Sequence, residues 1–527
     1  MHAETFPPEQ ALSARAPMFP SPPLLDATAP LAWTHPPTAV QRLLSFFDAG
    51  LFRLLGYVAL TPLLLRALGE LQFGMMATTL ALLGMLAWLP RAVQAESSRL
   101  VTAAAKVGDA PRVQSLLNAT GLLLAAIGIA MAGALVLLRG PLVDALGIEG
   151  SAAPLFRTWL LLESVRFGVT VGLGVWPSVV DGFGHDIERA SVRGLQAMLE
   201  VLFALWVVSR GLGLVGLAAL GIVTALATAG LAWWTAGYRQ PRPQVRPWNA
   251  QPRVMAELLS SSALLGGQQV AFLLAVDTGV LVLAAVQGVQ AVVLYAVAAH
   301  GIRLLANTGV QLAAGLYPPF ASLALHAERI HARWVLRRGT DAALLTCAGL
   351  AVFIVPFGAG LLEQWLGLRN VSKPLIALLG LLLLTSAPLA VAALYVARAG
   401  RTGRLALVLL AEGTLAIVLG LALVGRQGPV GVATAALVAQ SLAAGVLVRE
   451  ACVHLGITPW RFWLGRAWRL AAVLATALVA ALLFVAVKRV NTVRDLVIQA
   501  GIVVILYAVA GFTVWYLTET RPDQDAD

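Results

Sequence analysis

Apolar runs of roughly 20 residues recur along nearly the whole chain, and no other feature limits its folds as strongly. A helix of that length crosses a bilayer core about 30 Å thick. No water is present there to pair with peptide groups, so a spanning chain must satisfy its backbone internally, as helices or as a closed barrel. Barrel strands alternate in polarity, whereas these runs are continuously apolar. Only 12% of the residues are charged, against about a quarter in an ordinary soluble chain. The expected fold class is an all-α integral membrane protein.

About fourteen spans are expected: 43–65, 73–93, 115–138, 153–177, 192–210 and 214–236, then two within the stretch Glu257 to Phe320, then 340–361, 374–397, 405–424, 430–449, 468–487 and 495–517. Residues 1–42 are polar, proline-rich and aperiodic, and read as a disordered cytoplasmic tail. They lack the basic-then-apolar order of a signal peptide, so the first span is expected to act as an uncleaved insertion signal. Residues 518–527 read as a second cytoplasmic tail. Loops reach only about 20 residues, too short for a soluble catalytic domain. The only lysines, Lys106, Lys373 and Lys488, do not follow glycine, so no phosphate-binding G-x-x-x-x-G-K-[ST] loop exists. The chain is not expected to be an enzyme.

The net charge of +11 falls in short loops between apolar runs, which fits membrane orientation rather than nucleic-acid binding. With the amino terminus inside, inner loops and tails hold about 23 basic residues and outer loops about 10, which places both termini in the cytoplasm. Trp159, Trp176, Trp233 and Trp234 lie near span ends and suit interfacial anchoring. Cys347 and Cys452, the only cysteines, make neither a disulfide framework nor a cysteine metal site.

The chain also repeats. At an offset of 215, residues 211–230 overlie 426–445 with identities at Gly213, Val215, Gly216, Ala218, Val223, Ala229 and Gly230. At an offset of 219, LGELQFGMMA overlies QGVQAVVLYA, placing Gly69 over Gly288. Shared low complexity is the bland explanation; a duplication is the better one, on the pattern of paired transporter halves. The expected organisation is a six-helix half over 43–236, a basic linker over 237–257, a second parallel six-helix half over 258–450 and a terminal helix pair over 451–517.

Three stretches stand out: LLLRALGELQFGMMATTLALLGML (63–86), DTGVLVLAAVQGVQAVVLYAVAAHGIRLL (277–305) running to LYPPFASL (316–323), and the G-x-x-G-x-A pattern opening the sixth and twelfth spans. Together they resemble the multidrug/oligosaccharidyl-lipid/polysaccharide (MOP) flippase superfamily, and within it the bacterial polysaccharide-biosynthesis flippases that export O-antigen and exopolysaccharide units. The resemblance covers roughly residues 43–450. It departs at WLPRAVQAESSRLV, where the family is richer in glycine, and in having the single Arg53 where the family's first span often carries more basic residues. It implies a MATE-like architecture, residence in a bacterial inner membrane, and alternating access carrying a lipid-linked oligosaccharide. Its implied partners are membrane lipids and a polysaccharide polymerase, copolymerase or glycosyltransferase.

Ionisable residues at membrane depth are costly, so their default reading is functional. Arg53, Arg166 and Arg303 fall near mid-span, with Asp48, Glu163, Asp277, His300 and Glu412 beside or among them. A guanidinium stays charged and grips phosphate oxygens through two parallel hydrogen bonds, so these arginines are candidates to line a wet cavity that receives a pyrophosphate headgroup. Glu163 with Arg166, and His300 with Arg303, are three apart and share helix faces. The first pair reads equally as a structural ion pair; His300 reads as a titrating group or as a hydrogen-bonded bundle histidine. Asp277 binds a coupling cation or an arginine; no cofactor is expected beyond a coupling proton or sodium ion. A cation-coupled multidrug exporter of the same fold is the first alternative, and its cavity should be dominated by acids. A non-transporting scaffold for a polysaccharide synthase complex is the second.

Overall fold

A computed structural model describes residues 52–182, 186–237, 244–316, 329–368, 371–464, 466 and 507; the side chains of 52, 53, 55, 186–191, 263–277, 308–316, 329–331, 335 and 398 fall outside that description. The elements are helices throughout. The first set comprises α1 (Phe52–Leu86), α2 (Trp88–Lys106), α3 (Ala110–Ala145), α4 (Ala152–Gly172), α5 (Val175–Gly182), α6 (Asp186–Arg210) and α7 (Gly213–Gly237). The second comprises α8 (Pro252–Gln287), α9 (Val292–Leu316), α10 (Arg329–Leu366), α11 (Lys373–Arg398), α12 (Thr402–Gln427) and α13 (Pro429–Leu455). Among the described residues eight helices are long and apolar enough to cross a membrane, and a ninth if the pair bent by 47° at the α1–α2 junction is one span. The chain is a multi-pass membrane protein. The expected spans at 468–487 and 495–517 lie outside the described residues.

Local chemistry explains where the helices start and stop. Asp109 caps α3 by accepting from the Arg112 backbone N–H, with Pro111 in the first turn. Ser372 caps α11 in the same way, with Pro374 behind it. Hydroxyls inside the bundle bond back to the preceding turn, as Thr78 does to Gly74 and Thr340 to Leu336, so few are left unsatisfied in an apolar surrounding.

The sequence repeat reappears in the backbone. α1 is two limbs joined at Gly69, whose φ of 72° and ψ of 170° are matched by Gly288 between α8 and α9, at 84° and 164°. Gly213 and Gly428, aligned at the other offset, both have positive φ, 60° and 56°. Packing repeats too. α3 packs on α4, α4 on α7, α7 on α6 and α6 on α1; correspondingly α10 packs on α11, α11 on α13, α13 on α12 and α12 on α8. Large apolar side chains such as Ile129, Leu137 and Leu407 are left on the outside, as a lipid-facing surface requires.

α8 packs against both sets. At its far end Val280, Val282 and Leu283 pack in the main core with residues of α11 to α13. At its near end Leu258 packs with Val93, Leu124 and Phe167, and Val254 with Val101, Leu116 and Val179, all in the first set. The near end lies on the membrane side that carries the connection between the sets, called here the linker side; Gly69 and Gly288 mark the opposite, turn side.

Backbone geometry at the paired turns makes a direct expectation. Gly288→Ala places a side chain in a region open essentially to glycine only, costing about 1–3 kcal/mol. Gly133→Ala, at a helical position with open space around it, should be neutral or slightly stabilising. Thermal unfolding in detergent should separate the two, and equal midpoints would refute the turn assignment.

Candidate functional site

A cavity of about 340 Å³ opens within the first set. Its walls come from α1 (Leu64, Met76, Leu80), α2 (Gln94), α4 (Trp159, Arg166, Thr170), α6 (Gln196, Glu200, Phe203) and α7 (Leu217 through Ala229). Aromatic and aliphatic surface dominates, with a few convergent polar groups, the usual constitution of a small-molecule site.

Arg166 is the cation of this cavity. Its Nη1 donates to both carboxylate oxygens of Glu163, at 3.1 and 3.3 Å. Glu163 is 1% exposed and Arg166 33%, so the carboxylate is sealed in the bundle while the guanidinium forms wall. Two glycines make room for the polar groups. A Cβ at Gly221 would stand 2.6 Å from Arg166 Cδ, and one at Gly174 would stand 2.0 Å from Gln94 Nε2. Trp159 donates from Nε1 to Thr79 Oγ1 at 3.1 Å. The interfacial role expected for Trp159 is therefore wrong: the residue is 2% exposed, because the helix face it occupies turns inward. Trp233 and Trp234 do lie exposed near the end of α7, as anchors should.

The second cluster lies where α1 meets α9, on the seam between the sets. Arg303 Nη2 donates to His300 Nδ1 at 2.7 Å, the i,i+3 pairing that the spacing implied. Tyr57 of α1 donates its hydroxyl to the Val297 carbonyl at 2.5 Å, and its ring lies 5.1 Å from that of His300. Trp365 of α10 closes the cluster, 5.7 Å from Tyr57, with Nε1 donating to the Val58 carbonyl.

Of the sequence candidates whose side chains are described, only Arg166 lines the cavity, with Glu163 behind it. Arg303 and His300 form the seam cluster instead. Glu412 is 4% exposed on the packed face of α12, with no hydrogen-bond or ion-pair partner among the described residues. Asp48 lies outside the described residues, as do the side chains of Arg53 and Asp277. Gln94, Gln196, Glu200, Tyr57 and Trp365 were not singled out from the sequence. Their signal, polar or aromatic residues within apolar runs, is faint without knowledge of which faces converge.

No protein-family model matches the sequence, and no curated protein matches it. Solved structures do match. An inward-facing multidrug resistance MATE family transporter of the MOP superfamily aligns with a TM-score of 0.64 at 12% identity, over 79% of this chain and 98% of that one. The lipid II flippase MurJ in an inward closed conformation aligns with a TM-score of 0.66 at 10% identity, over 90% of this chain and 100% of that one. A MOP superfamily transporter from Pyrococcus furiosus, reported with a binding pocket of reverse polarity, aligns at 0.60 and 13%, over 79% and 95%. The chain has the fold of MOP superfamily transporters. In that MOP fold both clusters described above sit on membrane helices, one inside a helix set and one between sets.

The ion pair in the cavity wall makes a second expectation. Arg166→Met leaves the buried Glu163 carboxylate unpaired, at a cost of about 3 kcal/mol, the lower end for a buried pair because Arg166 is partly exposed. The double variant Arg166→Met/Glu163→Gln should recover most of that loss. Unfolding midpoints of the two variants test it; a double variant no more stable than the single would overturn the pairing.

Proposed function

We propose that the protein is a flippase that moves a polyprenyl-pyrophosphate-linked oligosaccharide across a bacterial inner membrane for surface polysaccharide synthesis. The two helix sets act as six-helix halves that rock in alternating access, with the linker side in the cytoplasm, where the basic loops belong. The observation that carries the reading is the cationic seam. Arg303 stands near the middle of α9 beside His300, between the two halves, where a headgroup passing between them would meet a guanidinium able to hold phosphate oxygens in pairs. The likeness to the lipid II flippase, covering 90% of this chain against 79% for the exporters, agrees with it. The lipid tail stays in the bilayer while the sugars cross through the protein. Polymerase, copolymerase or glycosyltransferase partners follow from that role.

Glu412 is the group proposed to carry a coupling proton or sodium ion. It is buried among apolar residues of α12 and has no partner among the described residues, so its charge state and its surroundings are coupled. Glu412→Gln should fold, and should lose any response of transport to an imposed proton or sodium gradient. A variant that still responds removes Glu412 from the mechanism.

A specific observation favours a second reading, a multidrug exporter. The cavity within the first set holds about 340 Å³ between apolar walls and Phe203, a size suited to a small amphiphile, with Glu200 as the acid to meet a cationic group and Arg166 as the opposing charge in the wall. One pair of measurements decides. Deleting the gene should make lipid-linked oligosaccharide accumulate in the inner leaflet, and Arg303→Ala should reproduce the defect at normal protein levels. Drug resistance conferred on an efflux-deficient strain, with no such accumulation, would replace the flippase reading by the exporter.

A further inference from the structure

The segment joining the two helix sets is bound to α3. Gln114 and Asn118 are four residues apart and so share a face of that helix. Gln114 donates from Nε2 to the Gln244 carbonyl and accepts from the Gln244 N–H at 3.3 Å. Asn118 Oδ1 accepts from the Arg246 N–H at 2.7 Å and from Gln114 Nε2 at 3.0 Å. Two side-chain amides thus hold the joining backbone as a neighbouring strand would. Val245 is seated over Gly121, where a Cβ would stand 2.7 Å from Val245 Cγ1, so the glycine makes the seat.

Beyond this strap the chain makes a short 3-10 turn at Pro247–Asn249 and enters α8. Val254, 3% exposed, and Leu258, 0% exposed, plug into the core of the first set. Between them in sequence, Glu257 accepts two hydrogen bonds from Arg112 Nη2, at 2.6 and 2.5 Å. Arg112 and Glu257 are 36% and 48% exposed. The plug is thus apolar and closed, and its one ionic contact stands at the water.

We infer that residues 244–258 form a latch that seals the linker side of the protein. The strap stays with the first set, held by Gln114 and Asn118 as positioning residues. The start of α8 is the moving part, because its other end is packed in the second set. Any separation of the sets on this side must draw Val254 and Leu258 out of the first-set core and break Arg112–Glu257. The ionic contact is exposed, so salt screens it and opposite charge reversals exchange it.

The test reads exposure of the plug and needs no substrate, so its outcome is independent of what the protein carries. In full-length protein with Cys347→Ala and Cys452→Ala, Val254→Cys is labelled with a water-soluble maleimide in lipid nanodiscs. Labelling should be slow, and should accelerate as salt rises. Arg112→Glu should speed it roughly tenfold, by loss of the pair and added repulsion. The exchanged pair, Arg112→Glu with Glu257→Arg, should restore the slow rate and its salt dependence. Gln114→Ala with Asn118→Ala should speed labelling too, while leaving the response to salt in place. Restoration by the exchanged pair shows that fast labelling in Arg112→Glu is not misfolding. Equal rates in all variants, or no restoration by the exchange, would overturn the latch.

Discussion

Charge held in oil is the constraint on which the rest of the structure turns. A charged side chain inside a span has to find a partner, reach water or stay neutral. Glu163 and Arg166 find each other one turn apart on α4, as do His300 and Arg303 on α9. The Glu163–Arg166 pairing lets α4 insert as a nearly neutral unit before it meets its neighbours, whereas the hydrogen bond from Arg303 to His300 leaves α9 with a positive charge. Arg166 also forms part of the wall of a cavity within one set of helices, and Arg303 stands on the seam between two sets. The two arginines therefore do different work, although their sequence contexts look alike.

Much of the fold is legible in the sequence alone. Apolar run length places helices because burial of the backbone admits little else. The repeat was legible because glycine is needed at fixed places. Gly69 and Gly288 share a backbone conformation closed to other residues, and Gly213 and Gly428 both turn through positive φ. Pairings one turn apart were legible for the same local reason. The cavity was not. It depends on which faces of α1, α4, α6 and α7 converge, and an apolar run in a membrane helix has no amphipathic stripe to mark its inward face. Trp159 shows the failure plainly: distance from a span end suggested the membrane surface, while the rotation of α4 put the ring in the bundle.

Glycine has a further role that composition alone hides. Gly221, Gly174 and Gly121 each occupy a place where another atom group needs the volume of a Cβ: a guanidinium, an amide and the valine of the strap. Gly74 does the same for backbone, since a Cβ there would stand 2.0 Å from the Val289 carbonyl oxygen. Small residues are usually read in membrane helices as allowing close helix contact. Here they also set aside space for polar groups, so the same residue type serves packing in one place and a site in another.

Closure on the two sides of the membrane is built from unlike materials. On the turn side, α1 meets the turn after α8 through backbone, at Gly74 and Val289. Such contacts are short-ranged and indifferent to salt. On the linker side, closure rests on two apolar side chains and an exposed ion pair. An apolar plug has no directional bonds to break, so it can withdraw in one step once its start is released. The alternating access proposed above needs both closures to be near balance, since a free-energy gap of several kcal/mol would leave one state nearly empty. Unlike materials make that balance adjustable: a backbone contact sets one side, and a solvent-exposed charge pair trims the other without disturbing the core.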